Sequence, residues 1–393
     1  MFDSLYIAWK YIGYNKARTA TLIACITLIG FLPISLELLL DESEHQLMSR
    51  AVTTPLVVGV KGSALDLVMN TLYFGNEVPE LMTMAVSDRI MDTDLALPIP
   101  LYARFRARGH PIVGTTLDYF EFRGLKMAEG QQIAVLGDCV VGAGAAEQLG
   151  LRPGDDLVSS PENMFDLAGV YPLKMKVTGV LHKSHTSDDL AVFVDLKTAW
   201  VIQGLGHGHQ GVTVLKDPTL VLKRTEGNVV ATAKLYHYME ITDENINSFH
   251  FHGHIAGYPI TAVIAVPYDA KSGTILQGRY LSKGESYQIV KPEDVIDGLL
   301  QNIFRIKNVL DAVISVVALA TVMAIILVFA LSLRLRQREM ETVFKLGCSR
   351  MTMVRLVASE ILIIVSASGI FCGAMVVLVD QFSNDLVRTL FIR

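Results

Sequence analysis

Three stretches without a single charged residue, Thr19–Leu36, Ala312–Leu333 and Ile361–Val379, constrain this chain more than any other feature. Each is long enough to cross the hydrocarbon of a bilayer, which takes roughly 17–25 helical residues. A core helix of a soluble protein keeps a polar face, and these runs have none. The chain has 393 residues, 51% of them apolar, so spans combined with a folded domain account for its composition. A net charge of −5 gives no basic footprint for nucleic acid. The four cysteines are scattered and imply no disulfide framework.

The first run has a basic approach (Lys10, Lys16, Arg18), as a signal peptide would. Glu-Leu-Leu-Leu-Asp (Glu37–Asp41) follows it, however, with no small-x-small cleavage site, so it reads as a retained anchor. Lys/Arg excess marks the cytoplasmic side. The basic approach lies on that side, and Asp41, Glu42 and Glu44 lie beyond the span. The loop between the second and third runs carries Arg334, Arg336, Arg338, Lys345, Arg350 and Arg355 against Glu339 and Glu341, so it is also cytoplasmic. Residues from about 41 to 308 and the tail after Val379 are then outside.

The chain thus divides into a cytoplasmic interfacial helix (1–17), a first span (18–40), an outer domain (41–291), a stalk running into the second span (292–333), a cytoplasmic segment (334–358), a third span (359–380) and a short outer tail (381–393). In the outer part, β-like runs recur at 54–60, 97–104, 111–115, 132–136, 174–180, 191–195, 212–222, 261–266 and 287–290. Helical patches fall at 63–72, 141–149 and 270–280. This pattern predicts an α+β domain, in two lobes. Pro292 suits a first helical turn. Apolar positions from Ile296 to Val317 then recur at helical spacing, which predicts one helix from domain into membrane. Its stripe needs a partner, either the chain's own first span or a second copy. In the cytoplasmic loop, Met340, Val343 and Phe344 give an amphipathic face, Gly347 a helix stop and Ser349 the cap of the next helix.

The segment Leu-Arg-Leu-Arg-Gln-Arg-Glu-Met-Glu-Thr-Val-Phe-Lys-Leu-Gly-Cys-Ser-Arg (Leu333–Arg350) resembles the coupling segment of the FtsX-like, MacB-like (type VII) permeases of ABC transporters. Glu360 matches the acidic residue that follows in that family. The opening Ala8–Thr19 is similar to the family's interfacial start, and Val177–Leu181 with Asp189–Asp195 resembles its outer domain. The resemblance implies a helical membrane protein with three transmembrane helices and a MacB-like periplasmic core domain. It implies a homodimer in the bacterial inner membrane, bound to a separate cytosolic ABC ATP-binding subunit and serving a periplasmic or outer-membrane partner. Arg336, Arg338, Glu339, Glu341, Lys345, Gly347, Ser349 and Glu360 would make the ATPase contact. The implied action is mechanotransmission: the ATPase uses ATP, and the permease moves its outer domain to export or extract a hydrophobic or periplasmic cargo. The family usually has four spans. Only Asp380–Arg393 follow the third here, so the chain is a three-span variant or a shortened copy.

The chain has no Gly-x4-Gly-Lys-Ser/Thr, so no phosphate cradle of its own, and it is not expected to be an enzyme. All ten histidines lie between His45 and His254. His182 with His185, His207 with His209, and His250, His252 and His254 form groups, and Asp188 and Asp189 could add oxygen ligands. Imidazole suits zinc, copper or nickel, so zinc is a candidate ligand and zinc-linked transport an alternative function. A solvated loop and a surface strand would account for the same histidines. No His-Glu-x-x-His supports a metallohydrolase. A regulatory permease controlling a periplasmic partner, such as a cell-wall hydrolase, is the other alternative.

Overall fold

In the computed structural model, the first apolar run belongs to a helix far longer than a bilayer requires. The helices, in chain order, are α1 (Phe2–Tyr14), α2 (Lys16–Val52), α3 (Ala64–Tyr73), α4 (Ala85–Met91) and α5 (Leu117–Arg123). They continue as α6 (Ala143–Leu149), α7 (Leu196–Ile202), α8 (Ala270–Arg279), α9 (Pro292–Leu335) and a last helix, Arg350–Phe391. The structure describes residues 2–14, 16–161, 172–208, 221–225, 228–231, 239–282, 284–335, 341, 342, 345 and 349–391.

Three helices among the described residues are long and apolar enough to cross a membrane: α2, α9 and the last helix. They match the three charge-free runs. The two ends differ from the expected boundaries. Helix α2 continues past residue 40 to Val52, and residues 381–391, expected as part of a short outer tail, belong to the last helix. Ser349 caps that helix, its Oγ accepting from the Thr352 amide at 3.3 Å.

Residues up to His45 and from Leu299 to Phe391 form one compact unit. Within it, α2 and the last helix meet where small side chains let backbones approach. Thr27 Oγ1 donates to the Ser368 carbonyl at 3.3 Å, and Ser368 Oγ to that of Ile23 at 3.4 Å. A Cβ on Gly30 would sit 3.4 Å from Cys372 Sγ. Arg18 forms an ion pair with the buried Glu360. Lys307 pairs with Glu37 at 3.0 Å. None of the most apolar window of α9 is buried by this chain.

Residues Gln46–Gly298 form the second compact unit. Its strands begin β1 (Leu56–Val60), β2 (Met82–Thr83), β3 (Ala96–Ala107), β4 (His110–Thr115), β5 (Met127–Gly130) and β6 (Asp138–Val141). Next come β7 (Asp156–Val158), β8 (Leu173–Leu181), β9 (Val192–Asp195), β10 (Gly206–Gly208), β11 (Val221–Thr225) and β12 (Asn228–Ala231). The last are β13 (Met239–Glu240), β14 (Phe249–Phe251), β15 (Pro259–Ile260), β16 (Ala262–Pro267) and β17 (Tyr287–Val290). One mixed sheet runs β13-β8-β6-β9-β4-β3-β16-β1-β17, with β5 and β7 also on β8. Pairs β4·β9, β6·β8 and β13·β8 are parallel.

The strand patterns explain the layering. In β8, Leu173, Met175, Val177 and Leu181 face the core, and Lys174, Lys176 and Thr178 alternate with them. Central strands β4, β6 and β9 are covered on both faces and are apolar almost throughout. Residues 132–136 alternate like a strand but pair with none. Their donors are taken locally: Ile133 N–H by Gln132 Oε1, and Ala134 and Val135 N–H by Asp138 Oδ2, at 3.2, 3.1 and 2.9 Å. The run expected at 212–222 lies outside the described residues up to 220.

Gly142 shows how tightly the layers meet. Its N–H donates to the Ala191 carbonyl at 2.9 Å, and a Cβ there would lie 2.1 Å from the Asp188 carbonyl oxygen. No side chain fits without moving the Ser187–Leu190 turn. Gly142→Ala is expected to destabilise the outer domain by about 1–3 kcal/mol through this overpacking. Gly150→Ala, at a site with φ +66° but open space, adds only backbone strain. Urea unfolding followed by tryptophan fluorescence would rank the two, with Gly142→Ala the more damaging.

Candidate functional site

The end of α2 carries a buried positive charge in the outer domain. Arg50 lies in the last turn of the helix and is 5% exposed. Its guanidinium grips Asp188 as a fork, Nη1 to Oδ2 at 2.6 Å and Nη2 to Oδ1 at 2.8 Å. The Tyr119 hydroxyl accepts from Nη2 at 2.7 Å and donates to Asp188 Oδ1 at 2.8 Å. The Phe74 ring lies 5.5 Å from the Arg50 guanidinium carbon. Beside this triad, Arg123 Nη2 donates to Thr54 Oγ1 at 2.8 Å, and its guanidinium lies over the Phe122 ring. The Nε atoms of Arg50 and Arg123 are buried without a hydrogen-bond partner.

Burial alone would lower the Arg50 pKa, but Asp188 and Tyr119 raise it well above the ordinary value. Burial alone would raise the Asp188 carboxyl; the Arg50 charge and its hydrogen bonds outweigh that and hold it below the usual range. Burial pushes the Tyr119 phenol up, so it stays protonated and can donate. Both fork partners therefore remain charged at neutral pH. Arg50 belongs to α2, Tyr119 to α5 and Asp188 to the turn before β9, so three distant segments are fixed at one point.

The chain enters and leaves the domain by neighbouring strands. Helix α2 ends at Val52 and β1 begins at Leu56; β17 ends at Val290 and α9 begins at Pro292. The two strands are antiparallel neighbours, with Val57 opposite Val290. An open groove of about 350 Å³ lies at the carboxyl ends of the parallel pair β4·β9, lined by Thr115, Leu117, Phe120, Ile133, Val135 and Asp195 among others. It is mainly apolar and gathers no set of acid, base and nucleophile.

Of the expected coupling residues, Arg336, Arg338, Glu339 and Gly347 lie outside the described residues. Glu341, Lys345 and Ser349 are exposed. Glu360 is buried against Arg18, a structural pairing the sequence did not suggest. Among the histidine groups, His182 and His185 are exposed. The carboxylates offered as their co-ligands are committed elsewhere. Asp188 is in the fork, and Asp189 accepts from Ser184 N, Ser184 Oγ and His185 N at 2.7, 2.8 and 2.9 Å. His209 lies outside the described residues. His207 takes the register position opposite His250, and the His250 and His252 rings are 4.7 Å apart at 89°. Among the described residues no three His, Cys, Asp or Glu side chains gather as a metal site.

Asp188→Asn would leave the Arg50 charge buried and half unpaired, and is expected to cost the outer domain about 3–5 kcal/mol. Arg50→Met with Asp188→Leu removes both charges and should restore most of that. Because the Asp188 pKa is lowered on folding, its contribution is complete above the unfolded value of about 4 and is lost as pH falls through the lower folded value. Denaturant titrations between pH 7 and pH 2 should give a steeper acid loss in the wild type than in the double variant.

No curated protein matches the chain significantly. Solved domains that resemble part of it, at TM-scores below 0.5, include two from transporters. One is the periplasmic region of MacB from Actinobacillus actinomycetemcomitans, at 10% identity and TM-score 0.35, covering 65% of this chain and 98% of that one. The other is the extracellular domain of the noncanonic ABC-type transporter YknZ from Gram-positive bacteria, at 12% identity and TM-score 0.32, covering 60% and 98%. The family model for the MacB-like periplasmic core domain matches residues 50–233, from Arg50 of the fork through β1 to β12. Its mixed α+β sheet and three apolar helices fit a multi-pass inner-membrane protein with a periplasmic domain. Residues 50–233 are thus similar to a MacB-like periplasmic core domain.

Proposed function

We propose that this chain is the membrane subunit of an ABC transporter, driven by a separate cytosolic ATPase, and that it works by moving its periplasmic domain. The observation that carries the proposal is the pairing of β1 with β17. The strands that follow α2 and precede α9 are hydrogen-bonded neighbours, so displacement of either helix end acts on the same edge of one sheet. The fork supports it, since Arg50 ties the last turn of α2 to Asp188 and Tyr119. A lever needs stiff arms, and α2 and α9 are each unbroken over 37 and 44 residues.

In this scheme the ATPase grips the cytoplasmic segment through Arg338, Glu339, Lys345 and Gly347, with Arg336, Glu341 and Ser349 around them. Glu360 then acts indirectly, by holding Arg18 at the base of α2. The uncovered apolar window of α9 supports a homodimer, in which a second copy shares that surface with lipid. The chain carries no ATP itself. The cargo is hydrophobic or periplasmic, moved by the outer domain rather than through a charged pathway; the three runs contain no Asp, Glu, Lys, Arg or His, the usual mark of one.

Purification of the complex from membranes is expected to bring down an ABC ATPase. Glu339→Lys and Gly347→Pro should leave insertion intact and weaken ATPase retention at least tenfold, about 1.4 kcal/mol, or abolish cargo movement with the ATPase still bound. Variants that keep both the ATPase and full output would remove the coupling role. Co-elution of a cell-wall hydrolase with no change in cargo movement would favour the regulatory alternative.

A further inference from the structure

We infer that the groove at the carboxyl ends of β4 and β9 binds the hydrocarbon chain of a single-chain anionic amphiphile, with the head at Lys197. As cargo, such a ligand rests on the transport reading above; as a bound molecule it does not. The groove, of about 350 Å³, adjoins a second hollow of about 380 Å³ lined by Gly124, Leu125, Lys126 and Gln132. Leu117 and Phe120 belong to both, so α5 and residues 132–136 line one continuous furrow. Leu117 is 56% exposed and Val135 50%, so each of these elements leaves a large apolar side chain bare there. Ligands of α/β sheets settle beyond the carboxyl ends of parallel strands, and small-molecule sites are mainly apolar hollows of about this size. Strands β4 and β9 run in the same sense as β17, which passes the chain to α9, so the furrow lies at the strand ends on that side.

The polar groups around the furrow are already engaged. The N–H groups of Ile133, Ala134 and Val135 are bonded to Gln132 Oε1 and Asp138 Oδ2. Thr115 Oγ1 donates to the Pro100 carbonyl at 3.0 Å, and Thr116 Oγ1 to Asp118 Oδ2 at 3.0 Å. An extended peptide adding itself along residues 132–136 would find those main-chain donors taken and leave its own carbonyls unpaired, which is costly. A hydrocarbon chain needs no donor and gains by covering Leu117, Phe120 and Val135. The charges at the rim select the head. Asp195 Oδ1 accepts from the Lys197 N–H at 2.8 Å, as the cap of α7. The Lys197 ammonium is exposed and pairs with no carboxylate among the described residues. At the second hollow Glu121 and Lys126 supply one charge of each sign. Lys197 is thus a cation open to a carboxylate or a phosphate monoester.

Full-length protein in lipid nanodiscs would be irradiated with a diazirine-bearing dodecanoate and the labelled peptides mapped by mass spectrometry, the three spans serving as reference. Residues 117–136 should be labelled above that reference. Unlabelled dodecanoate or dodecyl phosphate should suppress the labelling, and the stronger of the two identifies the head. Octanoate should compete at least about tenfold less well than dodecanoate, because each methylene taken from water adds affinity. Leu117→Asp with Val135→Asp, both at exposed positions, should keep the wild-type melting temperature and lower the labelling at least about tenfold. Lys197→Gln should weaken dodecanoate about two- to fivefold and leave dodecyltrimethylammonium unchanged. Labelling of 117–136 no higher than in the double variant, or suppressed by neither anion, would overturn the site. Stronger suppression by dodecyltrimethylammonium than by either anion would overturn the assignment of the head, and stronger suppression by an extended apolar peptide that of the hydrocarbon chain. Specific labelling in a preparation that captures no ATPase would uphold the site and count against the transport reading alone.

Discussion

A single buried ion pair fixes the last turn of α2 within the outer domain. Arg50 and Asp188 lie 138 positions apart in the chain and meet with almost no access to water. A buried pair seldom adds net stability over an apolar replacement, because removing both charges from water is costly. Its value here is geometric. The fork admits one orientation of the guanidinium, Tyr119 closes the third side, and the last helical turn cannot rotate without stranding a charge. Around this point the parallel strands β4 and β9, the short helix α5 and the Ser187–Leu190 turn are locked in register.

The spans were legible because the bilayer imposes a demand that local sequence alone satisfies: twenty or so residues without charge. Orientation followed from lysine and arginine placement for the same reason. Seven strands, β1, β3, β4, β8, β9, β16 and β17, were legible as apolar or β-branched runs, and in β8 the alternation agrees with burial. The failures have a common cause in side chains that compete for the backbone. Residues 132–136 alternate like a strand, yet Asp138 and Gln132 take their amides first. Short helices such as α5 and α7 went unnoticed because seven residues display hardly two turns of periodicity. The Asp195 cap of α7, bonded to Lys197 N–H at 2.8 Å, was the available signal.

The fork was not legible at all. Arg50 reads as one more charge after an acidic stretch, and Asp188 as half of an acidic pair beside histidines. Only the fold brings them together, and in doing so it withdraws Asp188 and Asp189 from the role of ligands. Grouping histidines by their spacing in the chain was likewise only partly informative. It correctly joined His250 with His252, but the cross-strand neighbour of His250 is His207, which the sequence had grouped with His209.

The position of β1 has a mechanical consequence. The strand is bonded on both flanks, to β16 through Leu56–Val58 and to β17 through Val57–Val60. Tension arriving through the short link from Val52 is therefore shared by two ladders at once, as in a lap joint. An outermost strand would instead peel away one bond after another. A sheet loaded through such an inner strand yields as a body, so small strokes at the helix end would be passed on before they were absorbed as local fraying.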